Sequence, residues 1–272
     1  MRHEADYLEM REHFLYVPYF NHTRRVRVLL PKDYRSTDAH YPAVYMHDGQ
    51  NVFYSRESYS GHSWKIIPTL KHYRDLPGLI IVGIDNAGAQ RLDEYGPWQT
   101  DTGSHEFKSV GGLGAEYGRW VVETVKPFID SHYRTRPDRA DTLLAGSSMG
   151  GIITAYMGAA YPEVFGRLGI FSLASWFSEP GFQAFVHHHA LNPESRVFIQ
   201  VGTNEGDDVD SKFISDMPQA YIDCTLRYYQ ALLRTGHPLD NICLKIMARE
   251  IHHERYWAEH FAEFLHFSLL EA

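Results

Sequence analysis

The segment Gly146-Ser147-Ser148-Met149-Gly150 sits where a short apolar run of strand length meets an apolar run of helical spacing, and few folds accommodate such a junction. Residues 141–145 read as a buried strand. Beyond the motif, Ile152, Ile153, Tyr156 and Met157 recur at the spacing of one helix face. A strand that turns this sharply into a helix strains the backbone of the central residue and lifts its hydroxyl above the sheet. Glycines are expected on both sides because a side chain at either position would strike the neighbouring strand or helix. Ser148 is therefore the candidate nucleophile. Ser147, off the centre of the motif, is expected to face into the packing.

Around this junction the chain alternates between the two kinds of periodicity. Strand-like runs fall at residues 14–19, 25–30, 43–47, 79–84, 142–146, 168–171, 197–201 and 242–247. The first pair is split by Asn21-His22-Thr23, which predicts an antiparallel hairpin at a sheet edge. Later runs such as Leu79-Ile80-Ile81-Val82 are continuously apolar, as in parallel strands covered on both faces. Long helices are predicted at 113–133, with Pro127 kinking or restarting it, and at 217–235 and 255–270. This alternation predicts one α/β domain over residues 1–272, with about eight mostly parallel strands and helices on both faces. Only about two dozen residues separate the sixth and seventh runs, so any cap there is small or absent. Residues 85–112 lack clear periodicity and are expected to wall or cover a site, with Tyr95 and Trp98 as pocket-lining candidates.

Composition narrows the partners. A net charge of −8 with no basic stripe argues against nucleic acid. No run is long enough to cross a membrane, and the charged first ten residues carry no apolar signal core, which together predict a cytoplasmic protein. Cys224 and Cys243 lack metal-ligand spacing and read as reduced, buried residues. The consecutive His187, His188 and His189 diverge on a helix and read as surface rather than as a metal site. Gly111-Gly112-Leu113-Gly114 lacks the lysine of a phosphate loop and is expected instead to free its segment to approach the Ser148 turn.

A nucleophilic serine needs a base, and the base needs an orienting acid. After Ser148, the run 197–201 leads into Gly202-Thr203-Asn204-Glu205-Gly206-Asp207-Asp208, and the last strand leads into Ile251-His252-His253. Both loops are expected at the sheet edge that carries the serine. Glu205 is nearest its strand and is the preferred acid, with Asp207 and Asp208 as rivals. His252 is preferred over His253 for the same reason. The amides of Met149 and Gln50 are the expected oxyanion donors, one heading a helix and the other in His47-Asp48-Gly49-Gln50-Asn51.

Taken in order, Tyr45 to Phe53, Arg91 to Tyr95, Gly111 to Gly114 with Tyr117, Lys126 to Asp130, Tyr133 to Thr135, Ala145 to Gly151, Val201 to Glu205, and His252 with Glu254 and Trp257 resemble the putative-esterase branch of the α/β-hydrolase superfamily. That branch includes feruloyl esterases, siderophore esterases and S-formylglutathione hydrolases. The resemblance implies an α/β-hydrolase fold and a cofactor-independent, metal-independent serine esterase acting on a small-molecule ester. It implies Ser148 as nucleophile, His252 as base with Trp257 at the family's spacing beyond it, and an acid after Gly202-Thr203-Asn204; Arg91, Tyr95, Trp98 and Trp257 are the expected substrate-binding residues. Glu250-Ile251 departs from the Gly or Ala that relatives often carry before the histidine. An acyltransferase using the same serine, or a non-catalytic binder on a hydrolase scaffold, are the alternative readings.

Overall fold

In the computed structural model, residues 9–101, 109–206 and 210–270 are described. The strands are β1 (Glu9–Val17), β2 (His22–Leu30), β3 (Ala43–Met46), β4 (Ile80–Ile84), β5 (Thr142–Ser147), β6 (Arg167–Phe171), β7 (Arg196–Asn204) and β8 (Ile242–Ile251). They form one sheet in the order β1-β2-β4-β3-β5-β6-β7-β8. The β1–β2 hairpin is antiparallel and sits at the edge, and β2 also runs antiparallel to β4. From β4 onward every pairing is parallel. The expected eight-stranded, mostly parallel sheet is therefore present, and it is the α/β-hydrolase architecture.

The helices are α1 (Ile66–His72), α2 (Arg91–Tyr95), α3 (Gly114–Trp120), α4 (Lys126–His132), α5 (Met149–Ala160), α6 (Glu179–His188), α7 (Met217–Arg234) and α8 (Glu254–Leu269). Because strand side chains alternate, β5 sends Leu144 into one core and Leu143 and Ala145 into the other. The first core packs the sheet against α3, α5, α6 and α7; the second packs it against α1 and α8.

Three segments add detail to the sequence expectation. The predicted helix over 113–133 is split into α3 and α4 by a π-helical turn at Val121–Val125. Pro127 has no N–H to donate and its ring would crowd the carbonyl of Glu123, so the wider turn relieves a clash that a straight α-helix would keep. The segment 85–112 is not without order, since it contains α2 and a preceding 3₁₀ turn at Gly88–Gln90. The short connection after β6 holds a 3₁₀ turn (Ser175–Ser178) and α6, a small cap as expected, and His187, His188 and His189 are exposed at its far end. No helix among the described residues is long and apolar enough to cross a membrane.

Candidate active site

Ser148 occupies the turn between β5 and α5, with φ 59° and ψ −124°, a left-handed φ that L-residues rarely adopt. The turn is held from several sides. Ser148 N donates to Phe171 O on β6 at 3.0 Å, and its own carbonyl accepts from Gly151 N at 2.8 Å. A Cβ on Gly146 would lie 2.5 Å from the carbonyl oxygen of Gly150, so no side chain fits there. At Gly150 the expectation fails. A Cβ there would meet Asp48 Oδ2 and the Cβ of His47 at 3.4 Å, ordinary contact, and the tighter position is Gly151, 3.0 Å from Phe171 O. Ser147 is buried at the end of β5, as its off-centre place implied.

Glu205 and His252, from the ends of β7 and β8, meet across adjacent strands. His252 Nδ1 and Glu205 Oε2 are 2.7 Å apart. The other carboxylate oxygen, Oε1, accepts from Gly202 N at 2.7 Å and from the Ser172 hydroxyl at 2.6 Å. Trp257 Nε1 donates to that same hydroxyl at 2.8 Å, and the His252 ring packs edge-on against the Trp257 ring at 4.9 Å. Trp257, expected to face substrate, is instead buried behind the pair and fixes it in place. Asp207 and Asp208, the rival acids, lie outside the described residues.

Tyr221 of α7 joins the serine to the imidazole. Its hydroxyl is 3.4 Å from Ser148 Oγ, and its ring lies 4.9 Å from that of His252. The hydroxyl donates to Asp210 Oδ2 at 2.7 Å, and that oxygen is 3.8 Å from His252 Nε2. Burial and the Asp210 carboxylate push the Tyr221 phenol far up, so it stays protonated. Neither residue was singled out from sequence. Tyr221 reads as one more apolar position of an amphipathic helix, and Asp210 as one more acid in an acidic loop.

The oxyanion-loop candidates stand opposite. Met149 heads α5, so its amide belongs to the first turn, where N–H groups lack helical acceptors. Gln50 lies in a 3₁₀ turn, Gly49–Asn51, launched by Asp48 at φ 52°. Gly49 is required there: a Cβ would come within 2.6 Å of the Gly83 backbone on β4. Arg91 grips the Asp48 carboxylate with both ends, Nε to Oδ1 at 2.7 Å and Nη2 to Oδ2 at 2.8 Å, and Asn86 Nδ2 adds a 2.6 Å bond. Burial alone would raise the Asp48 pKa, but Arg91 and Asn86 hold it below the usual range.

Tyr95, expected to line a pocket, is fully buried, and its hydroxyl oxygen accepts from Asp48 N at 3.0 Å. Trp98 packs on Tyr156 of α5, Phe185 of α6 and the face of Gly181. Arg91 and Tyr95 thus shape the loop that carries Gln50, while Trp98 anchors the segment they lie on. His47, beside the elbow, is no rival base. Burial drives its pKa down to about 3, and its Nδ1 is within 2.7 Å of the Tyr117 hydroxyl.

Chemically, Glu205 holds the His252 imidazole at Nδ1, and Tyr221 lies between that ring and a strained serine at a helix start. That is the inventory of acyl transfer through a serine. The chain is 28% identical over 239 residues to the protein YbbA of Bacillus subtilis (strain 168), covering 88% of this chain and 89% of that one. It is 27% identical over 233 residues to the iron(III) salmochelin esterase of Escherichia coli O6:H1, covering 79% of this chain and 50% of that protein. The siderophore hydrolase EstA of Aspergillus nidulans shares the fold with a TM-score of 0.76 at 16% identity, over 97% of this chain and 95% of its own. The family described as putative esterase matches residues 18–268, and the chain belongs to that family of carboxylic ester hydrolases.

Proposed function

We propose that the protein hydrolyses small-molecule carboxylic esters through an acyl-enzyme on Ser148. Ser148 Oγ attacks the carbonyl carbon while its proton passes to His252 Nε2. The tetrahedral oxyanion is met by the amides of Met149 and Gln50. As the carbon–oxygen bond to the alcohol breaks, the departing oxygen takes the proton back from Nε2. Water then repeats the cycle, with His252 taking its proton and Ser148 recovering one as the acid leaves. Glu205 keeps the imidazole in the tautomer that leaves Nε2 open to accept and stabilises the imidazolium between the steps.

The observation that carries this reading is the 2.7 Å His252–Glu205 bond beside a serine held at φ 59°. The names of similar proteins, siderophore and feruloyl esterases among them, point to esters of aromatic or hydroxylated acids as the first substrates to try. Ser148→Ala is expected to lower kcat by on the order of a millionfold on short p-nitrophenyl esters and to abolish fluorophosphonate labelling. Near wild-type turnover in that variant would reject Ser148 as the nucleophile.

A further inference from the structure

Arg27 is a charge inside an apolar strand. It stands between Val26 and Val28 of β2 and is only 3% exposed, a placement that is unfavourable unless the guanidinium is paired and hydrogen-bonded. Glu57 pairs it, with Nη1 donating to Oε2 at 2.8 Å, and Asp85 Oδ1 lies 3.7 Å from Nη2. The guanidinium carbon is 5.1 Å from the centre of the Phe53 ring. Its shortest bond goes to neither carboxylate: Nη2 donates to the carbonyl oxygen of Gly49 at 2.7 Å. Neutralising the charge does not require that bond.

The Gly49 carbonyl belongs to the peptide unit whose N–H is the Gln50 amide. In a trans peptide the two groups point in opposite directions, so an arginine held on the carbonyl sets where the amide aims. The Gln50 side chain is held as well, since Oε1 accepts from Asn86 N at 3.2 Å. Asn51 N and Val52 N are used within the turn, on Asp48 O and Gly49 O. Gln50 N–H donates to no acceptor among the described residues, and neither does Met149 N–H at the start of α5. A carbonyl that accepts from a cation also polarises the N–H of its own peptide into a stronger donor, and the effect is larger in a low-dielectric interior.

We propose that Arg27 is a positioning residue for ester hydrolysis: it holds the Gly49–Gln50 peptide so that the Gln50 amide meets the oxyanion formed on the substrate carbonyl. This rests on the Ser148 acyl-enzyme reading above. The test compares 1,1,1-trifluorohexan-2-one with its alcohol, 1,1,1-trifluorohexan-2-ol, as inhibitors of p-nitrophenyl butyrate hydrolysis. The two have nearly the same shape, but only the ketone can add the Ser148 oxygen and become an oxyanion. For the wild type the ketone is expected to bind at least about a hundredfold more tightly. In Arg27→Met that advantage is expected to shrink by about tenfold or more and kcat to fall by a similar factor, while KM and the alcohol's inhibition constant stay within about threefold. A purely structural role would loosen the alcohol and KM too. Arg25→Met is the control. Arg25 bonds the same two carboxylates, Asp85 and Glu57, but no hydrogen bond joins it to Gly49 among the described residues, so the ketone advantage is expected to persist.

Arg27→Lys keeps a charge beside Glu57 and Asp85 but gives up the guanidinium fork, and is expected to lose the ketone advantage by about threefold or more. Should Arg27→Met fail to fold, Arg27→Lys decides alone. A ketone-to-alcohol ratio unchanged in the folded Arg27 variants overturns the proposal. An equal loss in Arg25→Met overturns it, and so does a loss in Arg27→Met that the alcohol shares. Ser148-dependent turnover with a ratio indifferent to Arg27 defeats this proposal alone. A wild type that takes neither the ketone nor a fluorophosphonate defeats the serine-esterase reading, and this proposal with it.

Discussion

Glu205 accepts from a backbone amide, a hydroxyl and an imidazole, which leaves its carboxylate little freedom to rotate. Its contribution is directional, because both oxygens must be acceptors. In Glu205→Gln the amide NH₂ cannot accept from Nδ1–H, so either that bond is lost or the imidazole shifts to the wrong tautomer. A drop in kcat of about 10³–10⁴-fold is expected, read on the same ester as the wild type. A change under tenfold would assign the orienting role to another acid. At this scale the sequence was informative where a residue's place follows from a strand end. Ser148, Glu205 and His252 each stand one position beyond β5, β7 and β8, and the order of the strands brings the last two together. It was uninformative where a role depends on what lies opposite in space. Nothing in the neighbours of Ser172, Tyr221 or Asp210 separates them from ordinary core or loop residues. Tyr95 and Trp257 drew notice as large aromatics, but their hydroxyl and indole N–H are used inside the protein, on Asp48 N and the Ser172 hydroxyl.

Among the elements, α7 has the clearest local logic. Asp216 precedes it and accepts from Gln219 N at 3.3 Å, and Pro218 stands in the first turn, where a missing N–H costs nothing. Asp216→Ala is expected to lower unfolding free energy by about 1 kcal/mol, measured by urea denaturation at neutral pH. No change would show that the cap contributes nothing measurable at this position. The buried strands β3 to β6 were legible almost to the residue, since continuous apolar runs bounded by polar residues leave little choice. The edge strands were not. β1 begins at Glu9 and ends at Val17, earlier than the alternation around Phe14 implied, because an edge strand tolerates Glu9, Arg11 and Glu12 as paired but solvent-facing residues. β8 likewise extends to Ile251, past the expected end, with Ile246 and Ile251 exposed.

For the molecule as a whole, the sheet separates two apolar cores, and ionisable groups trapped near it make stability depend on pH. His47, at the end of β3, has a folded pKa of about 3 against an ordinary value of 6.5. Above 6.5 it is neutral in both states and adds no pH dependence. Below 6.5 the unfolded chain takes up a proton that the native protein refuses down to about 3, so stability is lost as the solution is acidified through that window. The slope from this one group is about 1.4 kcal/mol per pH unit. His13 and His237 are shifted in the same direction, so the useful measurement is the difference between wild type and His47→Gln. Denaturant titrations between pH 6 and 4 are expected to give a shallower slope for the variant by about one proton, and parallel slopes would reject the assignment.

The strands that deliver the site, β3, β5, β6, β7 and β8, are consecutive neighbours in the sheet and all parallel. Their outgoing ends therefore form one continuous rim, while both apolar cores lie below it. The loops that leave β6 and β7 at that rim carry Ser172 and Glu205. A change in either loop alters the rim and leaves both buried layers as they are, so such a change requires no new architecture.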